Sequence, residues 1–467
     1  MKLQNNAIVH KFGGSCLSDT QSFSKTLNII REFKDTPSIA VLSAFKGVTD
    51  KIIGIMNFAL DDKEKAEDLC DKLRKFHINM ANQMIPEAHS SEIAINFVND
   101  AFSTIKENIS EIFQGGLPPS LRDVMLSFGE RLSSFLFTQY LLSQGIDAQF
   151  FSGDSLITTS PDFGNSMPRM KKTSIKILEN LIPALEKGNT CIVTGFYGET
   201  ESGQITTLGR GGSDFTATII ANVLSGFFGT KVIFWKDVDG LLTANPNIEP
   251  DAVLIENISY DEAKELAYFG SKVLHPICLR MVMEKDVPAE IRNFNKDLNA
   301  PYTTISKYKE KTDKIVKSIA CIEACQMITV QGAAMVSLPG IAAKLFELMA
   351  NHHINILFIS QASSENNITF LVNQDAGEEA VHILETSKFF GKRWFEISQE
   401  DVSLIAVVGH GMTHQWGISG KIFTALGDAK VNVRAIAQGS SELNISIIIT
   451  PGDLETAIKA IHCKFIE

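Results

Sequence analysis

At 467 residues the chain is too long for one ordinary domain and suits two or three. Hydrophobic residues make up 44% and charged residues 21%, the balance of a globular protein able to bury a large core. A net charge of −11 argues against a general nucleic-acid surface, so any positive charge used on an anionic ligand must be concentrated in a few placed Lys and Arg. The seven cysteines form no CxxC pair and no zinc spacing, and read as reduced thiols of a cytosolic protein. Residues 1–12 lack the apolar region of a signal peptide, and no apolar stretch is long enough to span a bilayer. The expectation is a cytoplasmic protein without a membrane or nucleic-acid partner.

Residues 7–12 read as a buried strand ending at Gly13-Gly14, followed by a helix with Phe23, Leu27 and Ile30 on one face. A second strand is expected at 38–44, then a Gly47-Val48-Thr49 turn and another helix. Residues 60–112 are polar and helix-periodic, a helical excursion covering one edge, and a long apolar helix follows over 119–143. Further strands are expected at 148–152, 191–195, 231–235 and 289–294. Such alternation predicts an α/β fold with a mainly parallel open sheet between helices, whose ligands bind beyond the carboxyl ends of the strands. Residues 302–317, rich in Lys, Thr and Ser, read as the boundary, which gives a catalytic segment 1–305 and a linker 306–320.

Beyond the boundary the sequence repeats itself. Gly340-Ile341 recurs as Gly417-Ile418, an offset of 77, and at that offset Asn355 matches Asn432 and Gln361 matches Gln438. Ser363-Ser364-Glu365 matches Ser440-Ser441-Glu442 without a gap. A fixed offset signals two copies of one supersecondary unit, placed at 321–398 and 399–467.

Four segments carry the chemistry. In Lys11-Phe12-Gly13-Gly14-Ser15 the glycines let backbone approach a ligand, the following helix N-terminus would face an anion, and Lys11 supplies a point charge. The bland alternative is a tight turn beside a surface lysine. Gly209-Arg210-Gly211-Gly212-Ser213-Asp214 is a second anion cradle, with Arg210 suited to a two-pronged grip on a carboxylate. Asp214 is either a plain N-cap or a group that holds a substrate ammonium. Gly129-Glu130-Arg131 lies in an apolar helix, where an exposed Glu–Arg pair competes with a functional role. In residues 269–276 Lys272 stands near a helix start, where a cation is misplaced unless an anionic ligand joins it, whereas His275 before Pro276 reads as structural. There is no Walker-type GxxxxGK[ST], and Gly409-His410-Gly411 lacks the third glycine of a dinucleotide fingerprint.

Taken together, KFGGS at 11–15, VLSA at 41–44 with Gly47-Val48-Thr49, Gly129-Glu130, GRGGSD ending at Asp214 and FGSKVLHP at 269–276 resemble the aspartokinases of the amino-acid kinase family, and the duplicated C-terminus resembles tandem βαββαβ ACT units. The resemblance covers nearly the whole chain. It implies an enzyme that moves the ATP γ-phosphoryl, with Mg²⁺, onto the β-carboxylate of L-aspartate, the first step towards lysine, threonine and methionine. It also implies that Lys11 and Lys272 neutralise the phosphoryl in flight, and that Gly13, Gly14, Ser15, Asp237 and Lys272 line the ATP side. On the aspartate side it places Ser43, Thr49, Glu130, Arg210, Gly211, Gly212, Ser213 and Asp214. The chain departs from the pattern at Ser15-Cys16, where Thr-Ser is common, at Lys236, where many relatives carry Thr, and at Leu242 and Asn247.

Lysine-sensitive members commonly carry an Asp where this chain has Leu357; Ile359-Ser360-Gln361 and Ala435-Ile436-Ala437-Gln438 resemble the threonine-sensitive type fused to homoserine dehydrogenase. Threonine is then the expected effector, bound by Gln361 and Gln438, unless both glutamines merely close a turn. Exposed ACT edge strands pair across chains, so a homodimer is expected. The chain stops at Glu467, about where the fused relatives begin their dehydrogenase, so that second activity is not expected in it. Rival readings are a kinase for glutamate or N-acetylglutamate and a catalytically silent amino-acid sensor.

Overall fold

The apolar run that opens the chain forms strand β1 (Asn6–Phe12), buried along nearly its whole length. The structure, a computed structural model, describes residues 6–466 apart from 270–272, 308–314, 333–334, 336–337, 362–365 and 392–393. The expectations that fall on Lys272 and on Ser363-Ser364-Glu365 therefore lie outside the described residues. The chain divides into two units: 1–241 with 256–260 and 273–308, and 242–255 with 261–272 and 309–467.

In the first unit β1 leads to α1 (Thr20–Glu32), β2 (Ser38–Leu42), α2 (Val48–Asp61), α3 (Lys63–Met84), α4 (Ala88–Gly115) and α5 (Pro119–Ser143). Next come β3 (Ala148–Phe151), α6 (Gly153–Leu156), β4 (Thr158–Thr159), α7 (Met170–Glu186), β5 (Thr190–Thr194), β6 (Tyr197–Thr200), β7 (Ile205–Thr207) and α8 (Gly212–Leu224). The chain then forms β8 (Gly229–Lys236), β9 (Asn257–Ser259), α9 (Tyr260–Tyr268), α10 (Pro276–Met283), β10 (Ala289–Asn293) and β11 (Thr303–Ser306); of these α9, after its first residue, belongs to the second unit.

One eight-stranded sheet has the order β3-β5-β2-β1-β8-β10-β11-β9. Its strands from β3 to β10 run parallel, and β11 turns back antiparallel to β10. The fold is α/β, as the strand–helix alternation predicts. Phe23, Leu27 and Ile30 of α1, with apolar residues of α2 to α5, share one core with Ile8, Ala40, Ile192 and Ile233 of the sheet. Within the helical excursion, Phe97 of α4 reaches Phe150 on edge strand β3, ring centroids 6.4 Å apart.

Two expectations change. The residues after Gly13-Gly14 form a single 3-10 turn, Gly14–Leu17, and α1 starts only at Thr20, its N-terminus satisfied by the Asp19 side chain, which accepts from Ser22 N at 2.8 Å. An anion there would meet strand-end backbone, not a free helix end. The expected linker 306–320 is also not all linker: strands take up Ser306 at its start and residues 318–320 at its end, and residues 303–305 belong to the sheet of the catalytic segment. Thr303 and Ile305 are fully buried, and β11 continues the sheet, because β-branched Thr suits a strand whatever its polarity.

The second unit holds β12 (Ser318–Gln331), α11 (Ile341–Asn351), β13 (Phe358–Gln361), β14 (Asn367–Asn373), α12 (Gly377–Thr386), β15 (Glu396–Val408), α13 (Ile418–Asp428), β16 (Val433–Gln438), β17 (Asn444–Ile449) and α14 (Leu454–Phe465). Element for element, α11 to α12 recur in α13 to α14 at the offset of 77, and Gly340 and Gly417 both cap a helix with φ near +80 to +90°. The strands form one antiparallel sheet, β13-β14-β12-β15-β17-β16.

The two copies lie side by side in it, but they are not cleanly consecutive along the chain. Residues 325–331 of β12 serve the first copy, between β14 and β15, whereas 318–322 pair with 404–408 and flank the second copy. An extra residue between Ile322 and Cys325 reverses which side chains of β12 face inward, so that Ile319 enters one core and Val330 the other. Ile397 and Val407, opposite Val330 and Ile319, share one side of β15, so both helix pairs cover the same face.

Candidate active site

The cleft lies beyond the carboxyl ends of β1, β2 and β5, where a parallel sheet places its ligands. It encloses about 400 Å³. Lys11, Gly14 and Ser15 line it from the β1 side, Ser43 from the β2–α2 loop, Thr49 from the first turn of α2, Glu130 from α5, and Arg210 to Asp214 from the turn into α8 and its first residues. Lys11 and Arg210, far apart in sequence, thus face one cavity. Gly13 and Asp237 are not part of its lining; Asp237 is exposed directly after β8, the strand beside β1.

Asp214 is the electrostatic centre. It does not cap α8; Gly211 does, with φ +74°, and a Cβ there would sit 3.0 Å from the Cβ of His275. One turn inside the helix, the Asp214 carboxylate takes Lys11 Nζ on Oδ1 and Lys236 Nζ on Oδ2, both at 2.7 Å. Burial by itself would raise this carboxyl, but the two ammonium groups outweigh it and hold it below the usual carboxylate range. Burial, then repulsion from Lys11, lowers the Lys236 ammonium.

Glu130 is not an exposed partner of Arg131. It is 5% exposed, its Oε2 has no hydrogen-bond partner among the described residues, and burial pushes its carboxyl up to about 8 despite a hydrogen bond from Ala44 N–H. Gly129 makes the approach possible: a Cβ there would lie 2.9 Å from the Cβ of Ala44. Ser133, one turn on, donates to Ser43 O at 2.7 Å, so α5 fixes the β2–α2 loop at two points. Arg131 instead turns to Asp154, at 3.5 Å, and lies over the ring of Tyr197. Arg210 is exposed and makes no ion pair among the described residues. His275 caps α10, accepting from Ile277 N–H, in keeping with a structural role.

Three contributors escaped the motif reading. Asp123, two turns before Glu130 on α5, is fully buried and accepts from Gly164 N and Thr207 N at 2.8 Å and from Thr207 Oγ1 at 3.0 Å. It ties α5 to the end of β7, three residues before Arg210. An acid in so apolar a helix was the available signal. Phe196 lines the cleft with φ +79°, a conformation rare for an aromatic residue; its N–H donates to Thr216 Oγ1 and its carbonyl accepts from Leu208 N. Lys46, exposed in the β2–α2 loop, adds a cation to the rim.

Residues 6–293 match the amino acid kinase family, and 328–387 and 405–465 each match an ACT domain. The chain belongs to the amino acid kinase family. It is 31% identical over 471 residues to a bifunctional aspartokinase/homoserine dehydrogenase of Daucus carota, covering 98% of this chain and 50% of that protein. Aspartokinase 2 of Arabidopsis thaliana is 29% identical, over 98% of this chain and 84% of the relative. The chain thus spans about half the length of the bifunctional relatives it matches. Escherichia coli aspartokinase III, in complex with aspartate and ADP, superposes with a TM-score of 0.81 at 25% identity, covering 99% of this chain and all of that one. The Clostridium acetobutylicum aspartate kinase gives 0.80 at 26%, covering 98% and 100%. No helix among the described residues is long and apolar enough to cross a membrane.

Proposed function

We propose that this kinase acts on L-aspartate, transferring the γ-phosphoryl of ATP to the β-carboxylate to give 4-phospho-L-aspartate. The supporting observation is that one cleft gathers Lys11, Glu130, Arg210 and Asp214, a cation for the phosphoryl and a matched pair of charges for an amino acid. Arg210 grips the α-carboxylate and Glu130 receives the ammonium, with Ser43, Thr49, Gly211, Gly212 and Ser213 around them. A carboxylate oxygen forms a bond to γ-phosphorus as the bond to the β–γ bridging oxygen breaks, and ADP leaves. Lys11 neutralises charge on the equatorial oxygens, and Asp214 holds Lys11 in place. Gly13, Gly14, Ser15 and Asp237 serve the nucleotide, and Lys272 joins them.

Mg²⁺ neutralises the polyphosphate when bound. Among the described residues no three His, Cys, Asp or Glu form a metal cluster. Glu130, protonated at neutral pH in the free cleft, must lose its proton to hold an ammonium, so aspartate binding releases a proton.

The 1–305 segment carries the catalysis and the ACT sheet the regulation. Threonine is the proposed effector, at Gln361 and Gln438, which end the two edge strands β13 and β16. Those edges, with Ile359 and Ile436 exposed at equivalent positions, are the proposed pairing surfaces of a cytoplasmic homodimer. The test traps acyl phosphate with hydroxylamine under Mg-ATP, offering aspartate, glutamate and N-acetylglutamate in parallel. Aspartyl hydroxamate alone is expected; none at all, or equal yields from glutamate, overturns the reading.

A further inference from the structure

Charges around Asp214 do not balance. Lys11 and Lys236 bring two ammonium groups to one carboxylate, and the three side chains are only 7%, 18% and 9% exposed. Neither lysine has a second acid within ion-pairing distance among the described residues. Lys11 alone would neutralise Asp214, so Lys236 adds a surplus positive charge that is mostly withdrawn from water. A desolvated, uncompensated cation is costly, and an anion at that point removes the cost.

The strand register says where the anion would lie. β1 and β8 pair in parallel, with Lys11 beside Phe234 and Phe12 beside Trp235, which brings Lys236 level with Gly13 at the carboxyl edge. Lys236 follows Phe234 by two residues and so shares the sheet face of Lys11. It reaches Asp214 from the β8 side, next to Asp237, and not from the part of the cleft that Glu130 and Arg210 line.

We propose that Lys236 is a further polyphosphate-binding lysine, in addition to Lys11 and Lys272, contacting the nucleoside triphosphate on the leaving-group side while Lys11 contacts the phosphoryl group in transfer. The inference rests on the kinase reading above and adds a residue at a position where the family resemblance leads one to expect Thr. Asp214 then positions both cations, one per carboxylate oxygen, and charge developing on the departing diphosphate is met by Lys236.

Two measurements on the full chain test it: MgADP binding by calorimetry, and hydroxamate formation from aspartate and Mg-ATP. Lys236→Met should weaken MgADP binding by about tenfold or more and cut turnover by about 100-fold, whereas Lys236→Arg keeps most of both. If Lys236→Met is too unstable to study, Lys236→Thr replaces it in both measurements. Nucleotide affinity and turnover within twofold of wild type, with only a lowered melting temperature, would overturn the proposal and leave Lys236 as a structural partner of Asp214. A wild-type chain that makes no aspartyl hydroxamate removes the aspartate reading instead, and the MgADP measurement still decides the role of Lys236.

Discussion

The kinase cleft and the duplicated C-terminal sheet solve opposite problems with the same kind of sequence. At the cleft, residues 11, 130, 214 and 236 come from four separate elements; Lys11 and Lys236 pair their charges with Asp214, and Glu130 is buried in the same cleft. In the C-terminal sheet the two copies repeat the same elements, apolar side chains dominate their cores, and the polar candidates Gln361 and Gln438 sit on exposed edges. A buried charge cluster concentrates energy in a few atoms, so single substitutions there should be severe. An exposed edge shares it over backbone and solvent, so substitutions should act weakly and only on regulation.

The largest effect tests the first half of that contrast. Lys11→Ala should lower turnover by about 10³ or more, since it removes a preorganised cation and also strands Asp214 beside Lys236. Near-normal turnover would remove Lys11 from the mechanism.

Glu130→Gln should raise the KM for aspartate by roughly 10- to 100-fold with a smaller change in kcat, the scale of one hydrogen bond to a charged group. In the wild type that KM should fall as pH rises from about 7 to 9, because the carboxyl titrates near 8, and the variant should show no such trend. Stability gives an independent sign. The folded group sits above its unfolded value, so its contribution is present below the unfolded value and lost as pH rises through about 8. The variant should therefore gain melting temperature relative to wild type between pH 6 and 9; a parallel pair of curves contradicts the buried, protonated carboxyl.

Asp123→Asn sharpens the comparison at one remove from the substrate. An amide cannot accept from all three of its donors as well as a carboxylate does, so the Arg210 loop should loosen, with the aspartate KM up about tenfold and kcat nearly kept. A drop in melting temperature with unchanged KM would make Asp123 structural only.

Smallest of all, Gln361→Ala or Gln438→Ala should shift threonine inhibition by about three- to tenfold, the loss of one exposed hydrogen bond, without altering turnover in its absence. Lysine inhibition alone, or no shift in either variant, ends the threonine assignment.

Local pattern determined a good deal of this protein. Apolar runs with glycine ends marked the parallel strands, the long apolar stretch of about 119–143 marked α5, and the offset of 77 marked the repeated elements, because each can be read along the chain without its distant partners. The motif glycines were legible too, since φ +74° at Gly211 is a demand that one residue type meets at little cost. Tertiary structure alone decided what long-range pairing controls. It made Asp214 a clamp for lysines 203 residues before it and 22 after it, turned Glu130 inward, and gave Asp123 and Phe196 their places. It also lent residues 318–322 to the far copy of the repeat. No periodicity announces such partners, because the energy of a buried charge depends on which other charges the fold brings within a few ångströms.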